Sequence, residues 1–200
     1  TLQPQLHFKH SVIPASKMDN TTFPPFAITP EIDAEANKRI NQYPEDKKRS
    51  AVLPLLHIVQ HNFGFINTEA TEWVASKLDL EPMQVHEVVS FYPGLREHSP
   101  GKYHMRVCRT LSCAMAGSEE LMERLCELTG IDRSKSDSHH NPIAVSPCGQ
   151  WSVEFAECLA SCGTGPVCLV NDDFHEAVNP DDAQELLNKY GKAASPAANS

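Results

Sequence analysis

Apolar positions recur with a helical period through the first half of the chain and with a strand-like rhythm through much of the second. Val52, Leu55, Leu56 and Val59 stand at i, i+3, i+4 and i+7, the spacing of one helix face. Gly64 is placed to end that helix, and Pro54 must lie in its first turn or kink it. Upstream, Pro30 at a first helical position opens a helix from about Glu31 to Asn41 that stops near Tyr43-Pro44. Thr68 is placed to cap a third helix with Trp73, Val74 and Leu78 facing inward. Leu80-Glu81-Pro82 opens a fourth, with Val85, Val88 and Val89 on its apolar side. Four short helices with short connections over residues 30–94 predict a small antiparallel bundle. Residues 1–29, punctuated by Pro4, Pro14, Pro24 and Pro25, carry no sustained period. They read equally well as a loose tail or as a docking arm.

After Ser90-Phe91-Tyr92-Pro93-Gly94, residues 95–102 read as a linker. Residues 103–190 change character. Tyr103 to Val107, Ile143 to Val145, Trp151 to Phe155 and Val167 to Val170 read as strands, the middle two joined through Pro147-Cys148-Gly149. Gly117 to Leu128 is helical, with Leu121, Leu125 and Leu128 on one side, and Asp181 to Tyr190 forms a last helix with Pro180 at its start. Between them, 132–142 is a polar loop containing His139-His140. The class is α+β: a helical bundle followed by a small domain with helices beside a mainly antiparallel sheet, an order that a thioredoxin-like layout fits. The Ala/Ser/Pro/Asn stretch at 191–200 is expected to be disordered.

Charge and apolar content narrow the partners. The net charge of −9 opposes binding to phosphate backbones, so no nucleic-acid partner is expected. No apolar run is long enough to span a bilayer, so any membrane contact is expected to run through partner proteins. All seven cysteines follow residue 107; the odd number rules out complete internal disulfide pairing, and no signal sequence opens the chain. Together these favour a reducing compartment, where clustered cysteines bind metal or do redox work.

Cys108-Arg-Thr-Leu-Ser-Cys113 follows directly on a strand, and Cys158-Leu-Ala-Ser-Cys162 lies between two strands. Two pairs on two loops at one end of a sheet can converge as four thiolates. A [2Fe–2S] cluster needs two cysteine sulfurs on each iron. Ser112, Ser161, Gly163, Thr164 and Gly165 are small enough to permit close backbone approach. The cysteine runs of plant-type and bacterial ferredoxins are absent, as is any C-x-x-C of a dithiol oxidoreductase. On spacing alone, a structural zinc site and cysteines without a metal stay open beside the iron–sulfur reading.

The two pairs, with Glu157-Cys158-Leu159, resemble those of the thioredoxin-like [2Fe–2S] subunit family of respiratory complex I, the NADH-quinone oxidoreductase. Further stretches that resemble it are Arg49-Ser-Ala-Val-Leu-Pro-Leu-Leu56, Val85-His-Glu-Val-Val-Ser-Phe-Tyr92, Gly101 to Cys113 and Gly165-Pro-Val-Cys-Leu-Val-Asn-Asp-Asp173. The resemblance implies one [2Fe–2S] cluster on Cys108, Cys113, Cys158 and Cys162. It also implies one-electron storage near the FMN of a partner flavoprotein subunit, which itself binds FMN and NADH and takes hydride. A further iron–sulfur subunit of a peripheral arm is implied as a second partner. The expected location is the cytoplasmic side of a bacterial inner membrane, or the matrix side in mitochondria. The equivalent diaphorase subunit of an NAD-linked hydrogenase or formate dehydrogenase is an alternative, as is a zinc-stapled interaction module. Three departures from the family pattern stand out: Ala160 where glycine is common, Gly165 where alanine is usual, and Ser146-Pro-Cys-Gly149 in place of a Thr-x-Asp-Gly turn. The thioredoxin-like layout also suggests a cis peptide before Pro166.

Other candidates carry plainer readings. Cys126 on a helix and Cys168 in a strand read as small buried apolar residues, and Cys148 as a turn residue rather than a substitute ligand. His57 and His61 at i, i+4 lack an acidic partner motif and read as an ordinary helix pair. Arg109 and Thr110, between ligand candidates, either tune the site or are simply exposed. No G-x-G-x-x-G and no P-loop is present, so no flavin or nicotinamide site is expected on this chain, and no catalytic residue of its own.

Overall fold

The computed structural model describes residues 23–136 and 142–191. The arm before Phe23, His139-His140 and the tail after Gly191 lie outside the described residues. The order is α1 (Pro30–Ile40), α2 (Val52–Phe63), α3 (Thr68–Leu78), α4 (Pro82–Phe91), β1 (Tyr103–Cys108), α5 (Leu111–Met115), α6 (Ser118–Thr129), β2 (Ala144–Val145), β3 (Trp151–Ala156), β4 (Cys168–Val170), β5 (Asp173–His175) and α7 (Ala183–Tyr190).

The helical half forms for local reasons. Pro30 occupies the first turn of α1, with Glu31 and Asp33 at its N-terminal end and Lys38 and Arg39 in its last turn, charges that oppose the helix dipole. Pro54 lies in the first turn of α2, where its missing N–H has no intrahelical role. Gly64 ends α2 at φ +82°, a conformation glycine takes without strain. The cap of α3 is Asn67, one residue before the expected Thr68: Asn67 is still extended, and its Oδ1 accepts from the Ala70 N–H at 2.8 Å. Leu55, Leu56, Val59, Val74 and Val85 form the sealed centre of this core, with Trp73 and Val88 only half-buried at its rim. Phe26 and Ile28, at the end of the arm, pack against it.

Residues 95–102 are held at both ends rather than hanging as a linker. Leu95 is buried in the helical core. The Arg96 N–H donates to Gln60 Oε1, and the Ile66 N–H to the Arg96 carbonyl, each at 2.7 Å. At the other end the Gly101 N–H donates to Ser152 Oγ at 2.8 Å.

The sheet has five strands in the order β2-β3-β1-β4-β5. Three of its pairings are antiparallel, but the central pair, β1 with β3, is parallel in the register Tyr103↔Trp151 to Cys108↔Ala156. The sheet is therefore mixed rather than mainly antiparallel, because α6 intervenes between β1 and the later strands and a parallel neighbour requires such a crossover. Strand β5 and the short α5 carry too few residues for periodicity to reveal them. Trp151, Met105, Leu121, Met122, Leu125 and Leu187 fill the core of this half.

One buried polar chain crosses the β1–β3 pair. Ser152 Oγ accepts from Gly101 and lies 2.8 Å from His104 Nδ1; His104 Nε2 lies 3.0 Å from Glu154 Oε1. With the Ser152 hydroxyl donating to Nδ1, His104 is the neutral Nε2–H tautomer donating to Glu154. Burial pushes the His104 pKa down, and the Glu154 contact opposes this without reversing it.

Candidate metal centre

The parallel pairing decides where the cysteines meet. β1 ends at Cys108 and β3 at Ala156, partners in register, so the loops that follow them leave the sheet at the same end. The first turns at once into α5, which carries Cys113; the second carries Cys158 and Cys162 before returning to β4 beside Val107. Cys108 and Cys113 are each 1% exposed and pack with Val167 and Leu159, whereas Cys158 and Cys162 are exposed.

The four thiols are linked across the two loops. Cys158 Sγ and Cys162 Sγ are 3.9 Å apart, and Cys113 lies close enough to feel both Cys108 and Cys162. Thr110 Oγ1 lies 3.2 Å from Cys108 Sγ. The Leu159 N–H, from the second loop, also points at the Cys108 sulfur, and the Val167 N–H at that of Cys113. The Ala160 N–H donates to Cys158 Sγ at 3.4 Å. Burial raises the Cys108 thiol, but the Thr110 hydroxyl and the N–H groups of Leu159 and Thr110 outweigh it, leaving Cys108 below the ordinary thiol value. Cys113 stays above it: burial dominates, the Val167 N–H opposes, and Cys108 and Cys162 add repulsion. Arg109 donates to Glu157 Oε1 at 3.0 Å, joining the two loops beside Cys108 and Cys158, though both side chains are more than half exposed. Such a pair contributes at most about 1 kcal/mol.

Backbone geometry shapes the second loop. Ala160 is in the left-handed region at φ +63°, where glycine is the easier residue. The Gly165–Pro166 peptide is cis. A side chain at Gly165 would sit 3.4 Å from Cys113 Sγ, whereas Gly163 faces open space and is not a point of close approach. Among the described residues, no group of His, Cys, Asp or Glu gathers around one point as for a single metal ion. Four sulfurs in two pairs, with backbone N–H groups aimed at them, suit a [2Fe–2S] cluster; four thiolates also form the donor set of zinc.

The remaining cysteines lie apart from this arrangement. Burial pushes Cys126 up to about 11 and Cys168 up to about 12, marks of inert core thiols. Cys148 is exposed in the turn between β2 and β3, 3.4 Å from Ser146 Oγ. His57 and His61 are on α2, away from the cysteines. Sequence reasoning singled out Thr110 but passed over the sulfur-facing N–H groups of Leu159 and Val167, since backbone donors leave no side-chain signal.

The sequence profile of the thioredoxin-like [2Fe–2S] ferredoxin family matches residues 36–191. The chain belongs to that family. The ferredoxin is 42% identical to NADH-quinone oxidoreductase subunit 2 of Thermus thermophilus, over 66% of this chain and 68% of the relative. It is 32% identical to the corresponding NADH-quinone oxidoreductase subunit of Rickettsia bellii, over 85% of this chain and 97% of the relative. Its fold is similar to part of an NAD+-reducing [NiFe]-hydrogenase chain in the H2-reduced state, with a TM-score of 0.54 and 18% identity. That likeness covers 69% of this chain and 22% of the hydrogenase chain. Among the described residues no helix is long and apolar enough to cross a membrane.

Proposed function

We propose that this ferredoxin is the electron-transfer subunit of an NADH-quinone oxidoreductase and holds one [2Fe–2S] cluster on Cys108, Cys113, Cys158 and Cys162. The observation that carries the proposal is the meeting of the two cysteine loops at one end of the parallel β1–β3 pair. The relatives in Thermus and Rickettsia, similar over most of their length, supply the parent complex. The hydrogenase likeness is one of fold only and leaves that alternative weaker.

A bound cluster supplies acceptance and return of one electron at a time. The chain's residues set the conditions. Deprotonated cysteines hold the irons, and the lowered Cys108 thiol ionises more readily than Cys113. N–H groups of Leu159, Val167 and Ala160 point at sulfur and favour the more negative, reduced state. Cys108 and Cys113 lie on the dry side, while the exposed Cys158–Cys162 edge faces outward, where a flavoprotein partner that binds FMN and NADH would approach. The second partner is a further iron–sulfur subunit of the peripheral arm, and the membrane is reached through the complex, on the cytoplasmic side of a bacterial inner membrane. We treat 30–94 as a docking unit and 103–190 as the cluster domain.

The test is anaerobic purification of the chain, with iron, zinc and acid-labile sulfide assays and an electron paramagnetic resonance spectrum after dithionite reduction. Iron and sulfide in equal amounts, with a signal only in the reduced protein, are expected. Cys158→Ser should abolish both, whereas Cys126→Ser should leave them intact. Zinc without sulfide would overturn the electron-transfer reading in favour of a zinc-stapled module.

A further inference from the structure

We infer that Glu176 is a positioning residue for the second cysteine pair, clamping the loop that carries Cys162 through Ser161 and Thr164. The inference rests on the cluster assignment above and extends it to a residue outside the cysteine motifs.

Glu176 directly follows β5, well downstream of the loop it touches. Its Oε1 accepts from the Ser161 hydroxyl and, at 2.5 Å, from the Thr164 hydroxyl. The two hydroxyl oxygens are themselves 2.7 Å apart. One carboxylate oxygen thus ties together the residues that bracket the Cys162–Thr164 turn. The backbone completes the clamp: the Ala177 N–H donates to the Thr164 carbonyl at 2.7 Å, and the Val178 N–H to the Pro166 carbonyl at 3.0 Å.

The loop needs such a clamp. Ala160 and Ala177, one on each side of the contact, both have left-handed backbones, at φ +63° and +51°. This is a strained conformation for alanine that persists only where surrounding bonds enforce it. Cys158 and Cys162 are exposed, so packing does little to hold them. Hydrogen bonds from hydroxyls to an ionised carboxylate are among the stronger kind, and here they act on the residue next to Cys162. The same carboxylate places a negative charge beside the pair, which disfavours adding an electron there.

Two readouts on the full chain separate this inference from the cluster assignment. The first needs no cluster: amide hydrogen exchange of Ala177 and Val178 in the apo chain should be about tenfold faster in Glu176→Ala. It should be about as fast in the Ser161→Ala/Thr164→Val double variant, with little added by combining all three changes. Exchange unchanged in Glu176→Ala would overturn the inference even if the cluster is present. The second uses the loaded chain: Glu176→Gln, which keeps a carbonyl acceptor but loses the charge, should raise the midpoint potential. Glu176→Ala should also release iron to a chelator about tenfold faster. A potential and a release rate both equal to the parent's would overturn the inference. A parent chain that binds no iron would sink the cluster assignment and leave the exchange measurement to decide on the clamp.

Discussion

Restoring the family's residues at 160 and 165 gives a sharp test of the loop geometry, because the two substitutions act through opposite backbone conformations. Gly165 has φ −68° and ψ 157°, which alanine adopts without strain. An added methyl would lie 3.4 Å from Cys113 Sγ and Cα and 3.5 Å from Ala116 Cβ, ordinary contact distances. Gly165→Ala therefore gains about 0.4–1 kcal/mol by restricting the unfolded chain, plus up to about 0.8 kcal/mol for a buried methyl. Ala160 sits at φ +63°; Ala160→Gly relieves about 1 kcal/mol of left-handed strain but returns about 0.4–1 kcal/mol in unfolded-chain entropy. Its net effect is close to zero. The double variant should then be about 1–2 kcal/mol more stable than the parent, nearly all from position 165. For a chain of this size, that is a rise in Tm of roughly 2–6 °C. Scanning calorimetry of the reduced apo chain measures it, with a urea titration as a second probe. A Tm for Gly165→Ala at or below the parent's would refute the reasoning, since it would mean the space beside Cys113 cannot take a methyl group.

Further outcomes follow from the buried elements. His104 is 2% exposed and its pKa is pushed down by burial. Its contribution is fully present above the ordinary histidine value of about 6.5. It is lost as pH falls below that, where the unfolded chain takes a proton the folded one refuses, by about 1.4 kcal/mol per pH unit; urea midpoints above, at and about one unit below that value should show this loss, and His104→Gln should lack it. Gly101→Ala would bring a methyl to 2.6 Å from the Trp151 carbonyl carbon and 2.8 Å from its oxygen. That contact is with backbone and cannot rotate away, so a loss of about 2–4 kcal/mol is expected in chemical denaturation. Cys168→Ser buries a hydroxyl at a position of 0% exposure and should cost about 1–3 kcal/mol while leaving iron content unchanged.

The chain by itself determined the elements whose signal is local. Helix α2 follows from Val52, Leu55, Leu56 and Val59 on one face and Gly64 at its end, because a period and a terminator are properties of adjacent residues. The two cysteine pairs were legible for the same reason: C-x4-C and C-x3-C are short-range spacings that sit at strand ends. The caps were less so, since Asn67 and Thr68 are both good capping residues and only the backbone angles decide between them. What the tertiary structure alone decided is long-range. The parallel register of Cys108 with Ala156 brings two loops, far apart in the chain, to one end of the sheet. The same closure aims the Leu159 and Val167 N–H groups at sulfurs contributed by the other loop, and it turns residues 95–102 from an apparent linker into a bonded connection. Glu176 carries no motif and reaches Ser161 and Thr164 only once β4 and β5 have folded back. A periodic pattern reports which face of an element is apolar, but pairing depends on which distant faces meet, and that is settled by the sum of all the contacts in the fold.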